Sequence, residues 1–115
     1  LHPDLPPMFV GTASERVAFI RFLPFAVRGR TDRVVDISIN LDPAQRGKGL
    51  SAPSILTAVA HLFATTDASL VIAEVRLENT ASHRAFVSAG FEVIEEVKMH
   101  PRIVSFWRAE YDTAL

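Results

Sequence analysis

Cysteine is absent from the 115 residues, so disulfides, thiolate metal sites and a cysteine nucleophile are all excluded. No apolar run approaches the roughly 18 residues of a membrane span, and no charged-then-apolar leader is present. The expectation is therefore a cytoplasmic protein with no membrane partner. A charge excess of either sign is also missing. Twelve Lys and Arg against 13 Asp and Glu leave a formal net charge of −1, which argues against a general nucleic-acid footprint. The four histidines, His2, His61, His83 and His100, show no ligand spacing, so no metal is expected. His61 and His83 read as surface residues.

What remains is ordinary for a folded protein: 49% hydrophobic and 22% charged residues. At this length a single domain, 1–115, is expected, with enough buried surface for one core.

Along the chain, "LHPDLPP" (1–7) reads as an extended lead-in. "MFVGT" (8–12) and "RVAFIRFL" (16–23) are β-rich runs that suggest a hairpin, and the Phe-rich run 19–25 reads as core. "PFAVRGRTD" (24–32) is a charged loop. "VVDISINL" (34–41) alternates, with Asp36, Ser38 and Asn40 on one face and Ile37, Ile39 and Leu41 on the other.

The period then changes. Ala52, Ile55, Leu56, Val59, Leu62 and Phe63 form one helical stripe, with Pro53 in the first turn where a missing N–H is harmless. "SLVIAEVRL" (69–77) reads as a central strand. "ENTASHRAFVSAGF" (78–91) reads as a short helix with Asn79 as its cap, Ala81, Ala85, Phe86 and Ala89 as its inner stripe and Gly90 as its left-handed stop. "FEVIEEV" and "RIVSFWRAE" close the chain as strands around His100 and Pro101, with Trp107 in packing or at a dimer seam. The order predicts a mixed α/β fold: a mostly antiparallel central sheet, one parallel crossover and two main helices.

The segment "LDPAQRGKGLSAPS" (41–54) carries the chemistry. It sets glycines and basic residues where a helix must start. A helix start presents unpaired N–H groups and the positive end of the macrodipole, and glycines let backbone approach a bound group closely. "RGKGL" is thus either a phosphate cradle or a plain glycine turn. It is not a Walker loop, because Gly49 rather than Ser or Thr follows Lys48. It is not a dinucleotide fingerprint either, for want of a third glycine.

The loop followed by "AEVRLENTASHRAFVSAGF" (73–91) resembles the GNAT superfamily of acyl-CoA-dependent N-acyltransferases. Arg46, Gly49 and Ser51 match its Gln/Arg-x-x-Gly-x-Gly/Ala loop, with Ser in the last small position. Asn79, Ser82, Gly90 and Phe91 match its downstream signature. The wording is closest to acetylases of amino-sugar nucleotides and next to ribosomal-protein N-terminal acetyltransferases.

The resemblance implies acetyl-CoA as co-substrate and an amine, small-molecule or peptide, as acceptor. The strands matching 34–41 and 69–77 would part, with the pantetheine arm between them. Backbone of Ser38, Ile39, Asn40 and Leu41 would pair with that arm, and an N–H there would polarise the thioester carbonyl. Backbone N–H groups of Arg46, Gly47, Lys48, Gly49, Leu50 and Ser51 would hold the pyrophosphate. Asn79 and Ser82 would bond the arm. Phe86 stands where a thiolate-protonating tyrosine is usual, twelve residues after Glu74. Glu74 matches the general base, with Asp36 and Glu78 as runners-up; a surface pair between Glu74 and Arg76 is the other reading.

Relatives usually carry a strand and one or two helices ahead of the hairpin, where this chain has a seven-residue lead-in. The expectations are a longer chain, or a homodimer completing the acceptor site, or a non-catalytic acyl-CoA-binding or dimerisation module. A nucleotide-binding module without coenzyme A is a further class, but no acidic metal-binding group lies near Lys48.

Overall fold

The computed structural model describes residues 8–11, 15–26, 29, 31–94 and 103–109, the side chains of residue 94 and of 103–109 excepted. The elements run β1 (Met8–Gly11), β2 (Arg16–Pro24), β3 (Arg33–Leu41), α1 (Ser51–Thr65), β4 (Ala68–Arg76), α2 (Thr80–Ser88), β5 (Glu92–Ile94) and β6 (Ile103–Ala109). The strands form one sheet in the order β1-β2-β3-β4-β6-β5. Among the described residues only β3 and β4 pair in parallel, and α1 is their crossover. The fold class expected from the sequence is the one found. His2, His100, Pro101 and the lead-in lie outside the described residues.

Alternation in the strands sorts the sheet's two faces. Val35 and Ile37 of β3 and Val71, Ala73 and Val75 of β4 join Ile20 and Phe22 of β2 in the main core. Both helices pack on that face, α1 through Ile55, Ala58, Val59, Leu62 and Phe63 and α2 through Phe86 and Ala89. Ile20, Ile55, Val35, Val59 and Val71 have no exposed surface, and truncating either isoleucine to Ala would cost about 2–5 kcal/mol. The opposite face holds a smaller cluster of Val34, Leu70 and Ile72 with Phe25.

Several expectations need correction. Leu56 is 40% exposed; Ala58 takes its place inward because it lies three from Ile55 and four from Leu62 on the same helical face. Ala81 is exposed, at the cleft described below rather than in the core. The Phe-rich run is only partly core. Phe22 is buried, but Phe19 is half-buried on the other face, 5.2 Å from Phe9 between ring centroids. His83 is half-buried rather than a surface residue, with Nε2 at 2.9 Å from the Arg76 carbonyl. His61 is exposed as expected. Gly90 has φ 86° and ends α2 in the left-handed conformation.

Among the described residues no helix is long and apolar enough to cross a membrane.

Candidate active site

β3 and β4 run side by side only from Arg33↔Ala68 to Asp36↔Ile72. An ion pair of 2.9 Å between Arg33 and Asp67 fastens that closed end. Beyond it the strands part. Residues 37–41 keep their pairing with β2, Ile37↔Phe22 through Leu41↔Ala18. Residues 73–76 keep theirs with β6, Ala73↔Phe106 through Arg76↔Ile103. Each strand therefore retains its outer neighbour and loses the inner one. Backbone groups on the facing edges have no strand across from them and are open to a ligand or water.

Among the described residues, two cavities lie in this gap. One, about 540 Å³, opens on the helix side and is lined by Ile39, Asn40 and Leu41 of β3, Arg46, Gly47 and Ser51, and Asn79, Ser82 and Phe86. The other, about 440 Å³, is lined by Asp36, Ile37, Ser38, Glu74, Val75 and Arg76. Ile39, Asn79, Ser82 and Phe86 line both, so a single cleft passes through the sheet at the parting of the strands.

The helix-side mouth leads to the glycine loop. Asp42 starts it, accepting from the Ala44 N–H at 3.0 Å through Oδ1 and shaping the turn Pro43–Gln45. Gly47 and Gly49 follow with φ of 76° and 71°, conformations that other residues reach only with strain. A Cβ built on either would meet nothing within 4 Å. The glycines are thus required by backbone conformation, and the space before them is open. α1 has no side-chain cap and no acidic residue in its first turn. Among the described residues, no N–H from Gly47 through Ala52 donates to a protein acceptor. The result is an arc of free donors at the positive end of a helix.

The other mouth is acidic. Asp36 is the last β3 residue paired with β4, and burial followed by the charge of Glu74 pushes its carboxyl up to about 6. Glu74 is exposed and forms no ion pair with Arg76 among the described residues. Glu78 lies in the turn after β4 and lines neither cavity.

Asn79 serves two ends at once. Its Oδ1 accepts from the Ser82 N–H at 3.2 Å, capping α2, while the residue faces both cavities. Phe86 is buried, edge-on to Phe91 with centroids 5.1 Å apart. The residues expected to meet a coenzyme thus converge, with two qualifications. Lys48 reaches back to Gln45 and lines neither cavity, and Leu50 and Gly49 lie outside both. Gln45, buried at 7% exposure, is the loop residue that sequence reasoning passed over. Its burial beside polar neighbours leaves no periodic trace.

Residues 22–99 match the acetyltransferase (GNAT) domain family. The chain belongs to that family. Solved structures share the fold. The aminoglycoside acetyltransferase AAC(6')-Ib in complex with coenzyme A and kanamycin matches with a TM-score of 0.78 at 20% identity, over 94% of this chain and 68% of that one. The N-acetyltransferase PseH of Campylobacter jejuni with acetyl coenzyme A gives 0.69 at 10% identity, over 87% and 64%. The spermidine N-acetyltransferase of Vibrio cholerae with CoA and spermine gives 0.69 at 16% identity, over 88% and 62%. No curated protein matches the chain directly.

Proposed function

We propose that the chain binds acetyl-CoA in the β3–β4 gap and transfers its acetyl group to a primary amine by direct attack. The observation that carries this reading is the through-going cleft, with free loop amides at one mouth and two carboxylates at the other. The residues fit the coenzyme. Amides of Gly47 through Ala52 lack protein acceptors among the described residues, as a pyrophosphate cradle requires, and the open space before Gly47 and Gly49 admits phosphate oxygens.

In this reading the diphosphate rests on the loop, and Arg46 lends a cation at the same mouth. The pantetheine arm lies along residues 38–41 as an added strand, over Asn79, Ser82 and Phe86. An unpaired N–H of that edge stabilises the oxyanion as the amine attacks. The acceptor enters from the opposite mouth, where Asp36 and Glu74 stand. An ammonium must lose a proton before its nitrogen can attack, and the pair takes it. Asp36, with its carboxyl near 6, is the better matched base at neutral pH, and Glu74 holds the incoming cation and raises that basicity. The nitrogen bonds to the thioester carbon, the C–S bond breaks, the sulfur leaves as a thiolate, and the second proton lost by the nitrogen passes to water at the open mouth. Phe86 offers it no proton, and a thiol of pKa near 8.5 departs without one.

Two carboxylates at the acceptor mouth favour a cationic amine. Small-molecule amines bound by the matched enzymes, an aminoglycoside and spermine among them, agree with that. An amino-sugar nucleotide or a peptide N-terminus is the reading closest in sequence. Screening acetyl-CoA turnover with spermidine, an aminoglycoside, an amino-sugar nucleotide and a short peptide tests the proposal. Thiol release with none of them, despite coenzyme binding, would favour a non-catalytic acyl-CoA-binding or dimerisation module.

A further inference from the structure

Gln45 is the single buried residue between Asp42 and Leu50. Its Nε2 donates to Glu15 Oε2 at 2.6 Å, and its Oε1 accepts from Lys48 Nζ at 3.5 Å. The contact with Glu15 spans 30 residues of sequence and joins the loop to the foot of β2. Next to it, the Asp42 N–H donates to the Val17 carbonyl at 2.8 Å. Past Gln45 the arc has little to hold it. Arg46 N–H reaches the Pro43 carbonyl at 3.4 Å, and the next backbone bond is from Ser54 N–H to the Leu50 carbonyl. Two glycines at positive φ stand in between.

We infer that Glu15 and Gln45 form a clamp that fixes the arc 46–50 in its amide-out conformation and so sets the affinity of the phosphate site. The inference rests on the coenzyme reading of that loop. Free amides can share one anion only if they point the same way, and a glycine-bearing arc has many other conformations. A charge-assisted bond from a buried carboxamide to a carboxylate is strong enough to select one of them. The 2.6 Å bond to Glu15 sets the amide orientation of Gln45, and the longer contact from Lys48 Nζ to Oε1, at 3.5 Å, agrees with it while the lysine stays exposed. Glu15 and Gln45 touch neither cavity, so they are positioning residues.

The alternative, an effect of charge alone, predicts the opposite sign. Glu15→Leu removes a negative charge near a phosphate site, which by Coulomb attraction should tighten binding. The clamp predicts weaker binding, by about tenfold, with kcat at saturating acetyl-CoA unchanged. Gln45→Glu sets two carboxylates against each other and should weaken binding similarly. The exchange Glu15→Gln with Gln45→Glu rebuilds the bond with donor and acceptor reversed and should recover most of the loss. Backbone order parameters of Gly47 through Leu50 in the ligand-free protein should fall in each single variant and return in the exchange.

Unchanged or tighter acetyl-CoA binding by Glu15→Leu would overturn the clamp, as would unaltered loop order, or an exchange variant no better than Gln45→Glu. If wild-type protein binds no acetyl-CoA, the coenzyme reading fails by itself, and the order parameters still decide whether the clamp exists.

Discussion

Asp36 and Glu74 stand on the two strands that part, on the walls of one cavity, and the charge of Glu74 adds to burial in lifting the Asp36 carboxyl to about 6. A carboxylate so placed is poised to take a proton near neutral pH. kcat/KM, which reports the free enzyme, should therefore rise through an apparent pKa near 6 as pH increases, and Asp36→Asn should lose that limb together with most of its turnover. A pH–rate profile of the two proteins decides it; an Asn variant that keeps the limb removes Asp36 from the mechanism.

The same shift has a stability signature. The folded value, about 6, lies above the ordinary 3.8, so the folded state holds the proton more tightly than the unfolded one. That contribution is present below pH 3.8 and is lost as pH rises through about 6. Asp36→Asn should consequently stabilise the protein at pH 8, by on the order of 1 kcal/mol once solvent screening at this half-buried site is allowed for. The gain should vanish near pH 4. Urea unfolding at the two pH values measures the difference, and a variant less stable at pH 8 would contradict the shift.

Glu74→Gln removes the neighbouring charge without shortening the side chain. Turnover should fall, acetyl-CoA affinity should stay, and the Asp36 titration should move down toward the ordinary carboxylate range because its second cause is gone. Carboxyl chemical shifts followed against pH report the last of these directly. No movement would mean that the two side chains do not sense one another.

Much of this was legible in the sequence because it rests on periodicity. The alternation of residues 34–41, the three-and-four spacing of α1 and the apolar run of β4 each imprint a period on the chain. The glycine loop was legible because positive φ leaves a residue signature at Gly47 and Gly49. The unequal burial of the two carboxylates was not. Asp36 and Glu74 look alike in sequence, and only the point at which β3 and β4 separate makes one half-buried and leaves the other exposed. Leu56 and Ala81 misled for a related reason. A helical stripe is wider than the face that packs, and its margins are decided by neighbours the sequence does not name.

Gly49→Ala tests the loop conformation apart from any clash, since a Cβ there meets nothing within 4 Å. Holding an L-residue at φ 71° should cost about 1–2 kcal/mol. The arc relaxes instead, its amides turn away, and coenzyme affinity should drop at least about tenfold with little change in Tm. Affinity equal to wild type would show that the positive φ is not needed for binding.

Asn79 separates capping from ligand contact. Asn79→Ala should lower stability by about 1 kcal/mol through loss of the α2 cap. Asn79→Asp keeps an acceptor for the Ser82 N–H and should hold stability, yet it loses the amide donor facing the cleft. Weakened acetyl-CoA binding with unchanged Tm in the Asp variant supports a direct contact. Full binding in that variant would reduce Asn79 to a helix cap.

The central claim is that the gap between β3 and β4, floored by the glycine loop, is a coenzyme site. Calorimetric titration of wild-type protein with acetyl-CoA, set beside acetyl-pantetheine, which lacks the diphosphate, tests it most directly. The account predicts one site per chain with a dissociation constant on the order of micromolar for acetyl-CoA, and binding weakened at least about a hundredfold without the diphosphate. Equal affinity for the two ligands, or no heat from either, would contradict it.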